Sequence, residues 1–229
     1  MATLNDLLAQ ARIDLDDPEQ PGGGDDSLSL FKTNELVSYI NRAIDEACLR
    51  AELILDSDTP DVCEVAVTAG QAKYDLDSRI VLVKRAKLAS QPRALKKTDR
   101  DALDGMRMDW ESDTGTPEMY LADMNQGIRL YPIPDTDTTL RLTVWRRPLE
   151  PIPSYMGHKE PPIPPEDHYP LLHWVYYLAL DRQDVDTYAP EKAMQHAQAF
   201  AQQFGRRKAA WEREFDRKSR PLRVPGSYM

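Results

Sequence analysis

Four histidines, two cysteines and 38 acidic residues are the raw material for chemistry in this chain, and their spacing offers little of it. His158, His168, His173 and His196 form no HxxxH or HExxH pattern. His168 and His173 stand about 140° apart round a helix, so they do not share a zinc face, and the two cysteines are too distant to complete a site. Cys48 and Cys63 make no CxxC pair. Cys48 sits in an apolar helical stripe and reads as a core thiol, not a nucleophile. No GxSxG elbow occurs. Gly22-Gly23-Gly24 runs into Asp25 and Asp26, whereas a phosphate loop needs GxxxxGK[ST] to aim amides and a lysine at its ligand. Asp123-Met124-Asn125-Gln126-Gly127 imitates the start of a calcium loop. Its twelfth position is Pro134, with no bidentate glutamate, and its flanks read as strands. The acid pairs Asp16/Asp17 and Asp25/Asp26 fall in one Pro/Gly-rich stretch, where water keeps them ordinary. The residues therefore predict no enzyme, no cofactor and no metal.

Charge is the stronger signal. The chain carries −9 overall, yet residues 206–229 hold eight Lys/Arg against Glu212, Glu214 and Asp216, a net of +5. Residues 1–205 are left with −14. Such a body repels phosphate backbones and anionic lipid. The basic segment admits three readings: a solvated helix end suited to the helix dipole, a short nucleic-acid binder, or a docking peptide. In the third, Leu222, Val224 and Tyr228 alternate with Arg223 and prolines to offer apolar anchors and positive charge to a partner's groove.

The elements that would carry these features follow from periodicity. Thr3 to Leu15 reads as an amphipathic helix capped by Thr3 with Asp6 completing the box. Asp16 to Ser29 reads as a flexible loop. Thr33 is expected to cap a second helix to Leu55, its apolar stripe running from Leu36 through Ile40, Ile44 and Ala47 to Ala51. From Asp61 the pattern turns to β: Cys63, Val65 and Val67, a turn at Ala69-Gly70-Gln71, and strands at Ile80–Leu88, Glu118–Ala122, Gly127–Pro132 and Thr139–Arg146. Thr98 caps a short helix to Met106. The connections are too short for crossover helices, which predicts an antiparallel sheet.

Pro148 to Pro165 contains seven prolines and reads as an extended strap. A central helix over 166–182 follows. A last helix opens at Pro190 and, unbroken to Lys218, would be about 40 Å long and project from the body. No stretch reaches the ~18 apolar residues of a membrane span. The start, with no basic n-region before an apolar run, does not read as a signal peptide. The cysteine usage suits synthesis in a reducing cytoplasm.

Four strings resemble, in the same order, those of tailed-phage head-to-tail adaptor (connector) proteins: TNELVSYINRAIDEA (33–47), VTAGQAKYDL (67–76), GTPEMYLADMNQGIRLYPIPDTDTTLRLTVWRRP (115–148) and PPEDHYPLLHWVYYLALDR (164–182). The fold expected is α+β: a helical bundle (3–15, 33–55, 166–182, 190–218) with an antiparallel β-rich insertion (60–150), and an extended C-terminal arm over 206–229. The resemblance implies a virion protein of the neck, made in the host cytoplasm. It would form a ring, usually of twelve copies, under the portal, carry the tail or nozzle protein, and let genomic DNA pass without specific binding. The arm would then dock on the portal through Arg213, Arg217, Lys218, Arg220, Leu222, Arg223, Val224 and Tyr228. Hairpins at Asn125, Gln126, Asp135 and Asp137 are candidates for the tail-facing side. The alternative is a nucleic-acid-associated regulator using the basic tail.

Overall fold

The computed structural model describes residues 1–17, 29–123, 127–182 and 188–208. Helix α1 (Leu4–Asp14) opens on the expected capping box: Asp6 N–H donates to Thr3 Oγ1, and Thr3 N–H donates to Asp6 Oδ2. Leu4, Leu7, Leu8 and Ala11 point into the core. Its end uses no glycine. Asp16 takes φ 59°, and the Asp16 and Asp17 amides bond Ile13 and Arg12 carbonyls in a Schellman arrangement. Asp17, expected to sit in solvated loop, is instead 6% exposed. It accepts from the Leu30 and Phe31 amides and pairs at 3.1 Å with Arg12, itself 3% exposed. Arg12 also donates to the Phe31 carbonyl and to Thr33 Oγ1.

Helix α2 (Thr33–Ala51) begins one residue earlier than Thr33 capping would give: Lys32 is the cap and Thr33 lies inside, its hydroxyl used by Arg12. The helix ends at Ala51, short of Leu55, because Glu52 turns left-handed at φ 55°. The freed chain becomes strand β1 (Ile54–Asp56). A one-turn helix, α3 (Pro60–Cys63), replaces the start of the expected strand. Its opening Pro60 suits a first helical position, while the Asp56 carboxylate gathers the Asp58 and Thr59 amides and the Thr59 hydroxyl.

Strands β2 (Glu64–Val67), β3 (Lys73–Asp75), β4 (Ile80–Leu88) and β5 (Lys96–Lys97) follow. Helix α4 (Arg100–Met106) is capped by Asp99, whose carboxylate reaches the Ala102 amide, and not by Thr98. Then come β6 (Thr114–Gly115), β7 (Met119–Asp123), β8 (Gly127–Tyr131), β9 (Ile133–Pro134) and β10 (Thr138–Arg146). Strand β10 is the spine of the first sheet, with β1 and β2 along one edge and β4 along the other, all antiparallel. Leu140, Leu142 and Val144 alternate into its core. A second sheet runs β3-β8-β7-β5. The expected antiparallel pairing holds for the long ladders. The two-residue pairings β5·β7 and β6·β9 are parallel.

The proline-rich segment leaves the first sheet and returns over the helices. The Asn41 amide group brackets Ile152 with two bonds of 2.8 and 2.9 Å, one to its N–H and one to its carbonyl. The first free amides of α1, Leu4 and Asn5, donate to the Lys159 and Gly157 carbonyls. A Cβ at residue 157 would stand 2.0 Å from Asn5 Oδ1, so a side chain there would push the exposed Asn5 side chain aside.

Helix α5 (Leu172–Leu180) is shorter than 166–182, because Pro165–Asp167 forms a separate 3₁₀ turn. Helix α6 (Pro190–Phe204) also stops early: Gly205 at φ +80° ends it, and 205–208 are not helical. The expected long projection over 190–218 is thus a helix of 15 residues, and 209–218 lie outside the described residues. Helices α1, α2, α5 and α6 share one core with Ile152 and Ile163 of the strap, separate from the β core.

Two outcomes follow from these contacts. Asp17→Ala takes a carboxylate partner from the buried Arg12 and the acceptor from the Leu30 and Phe31 amides, and is expected to lower unfolding free energy by about 3 kcal/mol in urea titration. At the α5–α6 contact, His173 Nδ1 lies 3.1 Å from His196 Nδ1. Burial first, then His173, holds His196 below the ordinary histidine value of 6.5, against the opposing pull of Asp14. Its stabilising contribution is complete above that value and is lost as pH falls below it. Lowering pH from about 7 to about 5 should depress the thermal midpoint more in the native chain than in His196→Gln.

Candidate functional site: the root of the C-terminal arm

The basic segment leaves the body at Gly205, and the side chains that hold it come from three helices. Glu46 and Arg50 lie one turn apart on α2, and Arg50 Nε donates to Glu46 Oε1 at 2.7 Å. The guanidinium lies 4.7 Å from the Trp174 ring of α5 and 5.1 Å from Phe200 of α6. Those two rings are themselves 5.0 Å apart. A planar, weakly hydrated cation suits such a seat where an ammonium would not. Only about a tenth of either charged side chain is exposed.

The remaining donors and acceptors of the pair reach the departing chain. Arg50 NH1 donates to the Gly205 carbonyl at 3.3 Å, and Glu46 Oε2 takes Arg207 at 3.5 Å. Gly205 is where the chain needs a positive φ to break from α6, which a side chain would strain. Phe200 and Phe204 stack with centroids 4.5 Å apart and bury the last turn of α6. The arm therefore starts from a fixed point beside the C-terminal end of α2. Neither Glu46 nor Arg50 stands out in the sequence by type. The available signal was their i, i+4 spacing together with a lone glycine ahead of Arg206-Arg207-Lys208.

Other expected site residues are distributed as follows. Arg213, Arg217, Lys218, Arg220, Leu222, Arg223, Val224 and Tyr228 lie outside the described residues, as do Asn125 and Gln126. Asp135 and Asp137 are exposed on the turn before β10. Asp137 takes the Ala69 amide at 2.7 Å, and the Gly70 amide bonds the Pro134 carbonyl, so this turn is tied to the one after β2. The β7–β8 connection is at the far end of that hairpin, since Asp123 pairs with Gly127 there while Met119 pairs with Tyr131 at the near end. Five residues of strand, about 16 Å, separate the two candidate loops.

Burial pushes the Cys48 thiol up to about 12 and the Cys63 thiol up to about 11. Among the described residues no three of His, Cys, Asp and Glu gather closely enough to hold a metal ion, and no helix is long and apolar enough to cross a membrane.

The clamp makes its own forecast. Arg50→Ala should release Gly205 and destabilise the fold by about 1–2 kcal/mol. Trypsin should then cut after Arg206 or Arg207 several-fold faster, read by mass spectrometry. Arg50→Lys, which keeps the charge and loses the plane, should fall between.

No curated protein matches the chain. A family model described as SU10 adaptor protein matches residues 2–225. The match spans both cores and continues past Gly205 through most of the basic arm, beyond Arg182 where the resembling strings end. By that coverage the chain belongs to the SU10 adaptor protein family, the phage head-to-tail adaptors.

Proposed function

We propose that this adaptor assembles into a ring of twelve copies beneath the phage portal, extends the DNA channel, and presents a platform to the tail or nozzle protein. The arm, Lys208 to Met229, is the part that docks on the portal. The observation that carries this reading is the clamped root: a segment of net +5 leaves a body whose residues 1–205 carry −14 at a point held by Arg50 and Glu46. Fixing the root before binding lowers the ordering cost of docking there.

The charge division suits the same role. An acidic body gives genomic DNA no general hold in a passage. The arm's Arg213, Arg217, Lys218, Arg220 and Arg223 supply long-range attraction to an acidic portal surface, and Leu222, Val224 and Tyr228 supply the apolar anchors that slow release. Free copies are monomeric and become a ring on the portal.

Sedimentation of the purified chain with its portal tests this. The full chain is expected to co-sediment as a ring complex. Removal of 209–229 should abolish co-sedimentation, and Arg220→Ala/Arg223→Ala/Tyr228→Ala should weaken it at least tenfold. A portal complex that survives the deletion unchanged sinks the docking role.

A further inference from the structure

Strands β4 and β5 carry a run of charge opposite to that of the body around them. Residues 84–97 contain Lys84, Arg85, Lys87, Arg93, Lys96 and Lys97 and no acid. Val83, Ala86 and Leu88 of β4 are buried, so strand alternation turns Arg85 and Lys87 to the outer face. The Leu95 amide bonds the Ala86 carbonyl at 2.8 Å and Leu95 is buried, which sends Lys96 outward as well. Arg93 is exposed on the turn between them. On β10, Lys87 stands opposite Arg141 and Arg85 opposite Thr143. Lys84 lies beside the register break, its ammonium 5.3 Å from the Trp145 ring centre.

Among the described residues Arg85, Lys87, Arg93 and Lys96 form no ion pair. Nearby acids are already engaged: Glu64 pairs with Arg141 at 3.3 Å, and Asp137, beside Thr138, accepts the Ala69 amide at 2.7 Å; Glu118 lies next to β5, its carbonyl bonding the Lys96 amide. Like charges facing each other across strands weaken a sheet. A patch that keeps four unpaired cations, one of them opposite Arg141, is built for an anion that arrives from outside.

We infer that the outer face of β4, its turn and β5 is a contact surface for the phosphate backbone of double-stranded DNA, without base readout. Two features favour phosphate over an acidic protein. A protein interface centres on apolar or aromatic anchors and is poor in lysine. Lys84, Lys87, Lys96 and Lys97 make the patch rich in lysine, and none of residues 85–97 is a large exposed apolar side chain; the exposed Leu55 is registered opposite Trp145, at the far end of β10. The absence of exposed aromatics on the patch also argues against a single strand, which needs stacking platforms. The acid elsewhere on residues 1–205 confines the contact to this face and orients it. The inference stands whether or not the arm docks on a portal.

The test is fluorescence anisotropy of a labelled mixed-sequence duplex with the full chain over a sodium chloride series. Arg85→Gln/Lys87→Gln/Arg93→Gln/Lys96→Gln should cut low-salt affinity at least tenfold. It should also flatten the log K against log salt slope by about 0.9 for each phosphate no longer neutralised. The replaced side chains form no ion pairs, and all but the half-buried Lys87 are exposed, so the thermal midpoint should hold or rise; Lys87→Gln and Lys96→Gln alone should each show a smaller flattening. Arg217→Gln/Lys218→Gln/Arg220→Gln/Arg223→Gln, in the arm, should leave the patch-dependent part of the slope in place. A patch variant with the native slope, or a loss confined to the arm variant, overturns the inference. So does single-stranded DNA binding as tightly as duplex. A patch variant that keeps DNA affinity but changes self-association in sedimentation would transfer the surface to the acidic face of a second copy, and overturn it too.

Discussion

The helical half of this protein depends on how the proline-rich return, residues 148–165, has its backbone satisfied. Prolines remove donors and forbid a ladder, so each polar group of the segment must be met singly. Asn41 does this for Ile152 at both N–H and carbonyl. The start of α1 does it for Gly157 and Lys159, whose carbonyls take the Asn5 and Leu4 amides. The dependence runs both ways. An 11-residue helix is marginal by itself, and α1 is held because the strap passes its N-terminus at glycine distance while the Arg12–Asp17 pair anchors its other end. Leu4, Leu7, Leu8 and Ala11 can then complete a core that α2, α5 and α6 would leave open.

The same bundle transmits position from one end of the chain to the other. Asp14, the last residue of α1, accepts the Tyr176 hydroxyl of α5. Two residues back on α5, Trp174 shares Arg50 of α2 with Phe200 of α6. Arg50 in turn holds the carbonyl of Gly205. Helices α2, α5 and α6 thus converge on the point where the basic segment departs, and α1 is tied to it through α5. Arginine is suited to that point because its planar head can lie on aromatic rings while its edge still donates to a carboxylate and a carbonyl.

Much of this was legible in the sequence where local rules act alone. The Thr3–Asp6 box, the Leu36-to-Ala47 stripe, the strand at 80–88 and the turn at Gly70 follow from spacing and turn chemistry. What escaped was set by partners distant in the chain. Asp17 reads as loop because its acceptor role depends on amides that return at Leu30 and Phe31. Thr33 reads as a cap, but Arg12 uses its hydroxyl, and Glu52 shows no sign in its type of the left-handed turn that shortens α2. The apolar period past Phe204, through Trp211 and Phe215, suggested a continuous helix, and one positive φ at Gly205 overrode it. Glu46 and Arg50 carry no mark in their types of the aromatic rings that α5 and α6 place beside Arg50.

Net charge proved a poor guide to surface chemistry for a related reason. A sum over residues 1–205 describes the far field, which governs approach, and at −14 it disfavours DNA. Contact is governed by the few charges within a Debye length, about 8 Å at physiological salt. Over that range the outer face of β4 and β5 is positive, because pairing with β10 lines its cations along one side of the sheet while Val83, Ala86 and Leu88 occupy the other. An acidic body with one basic strand face therefore repels anions at long range and attracts them at contact on that face.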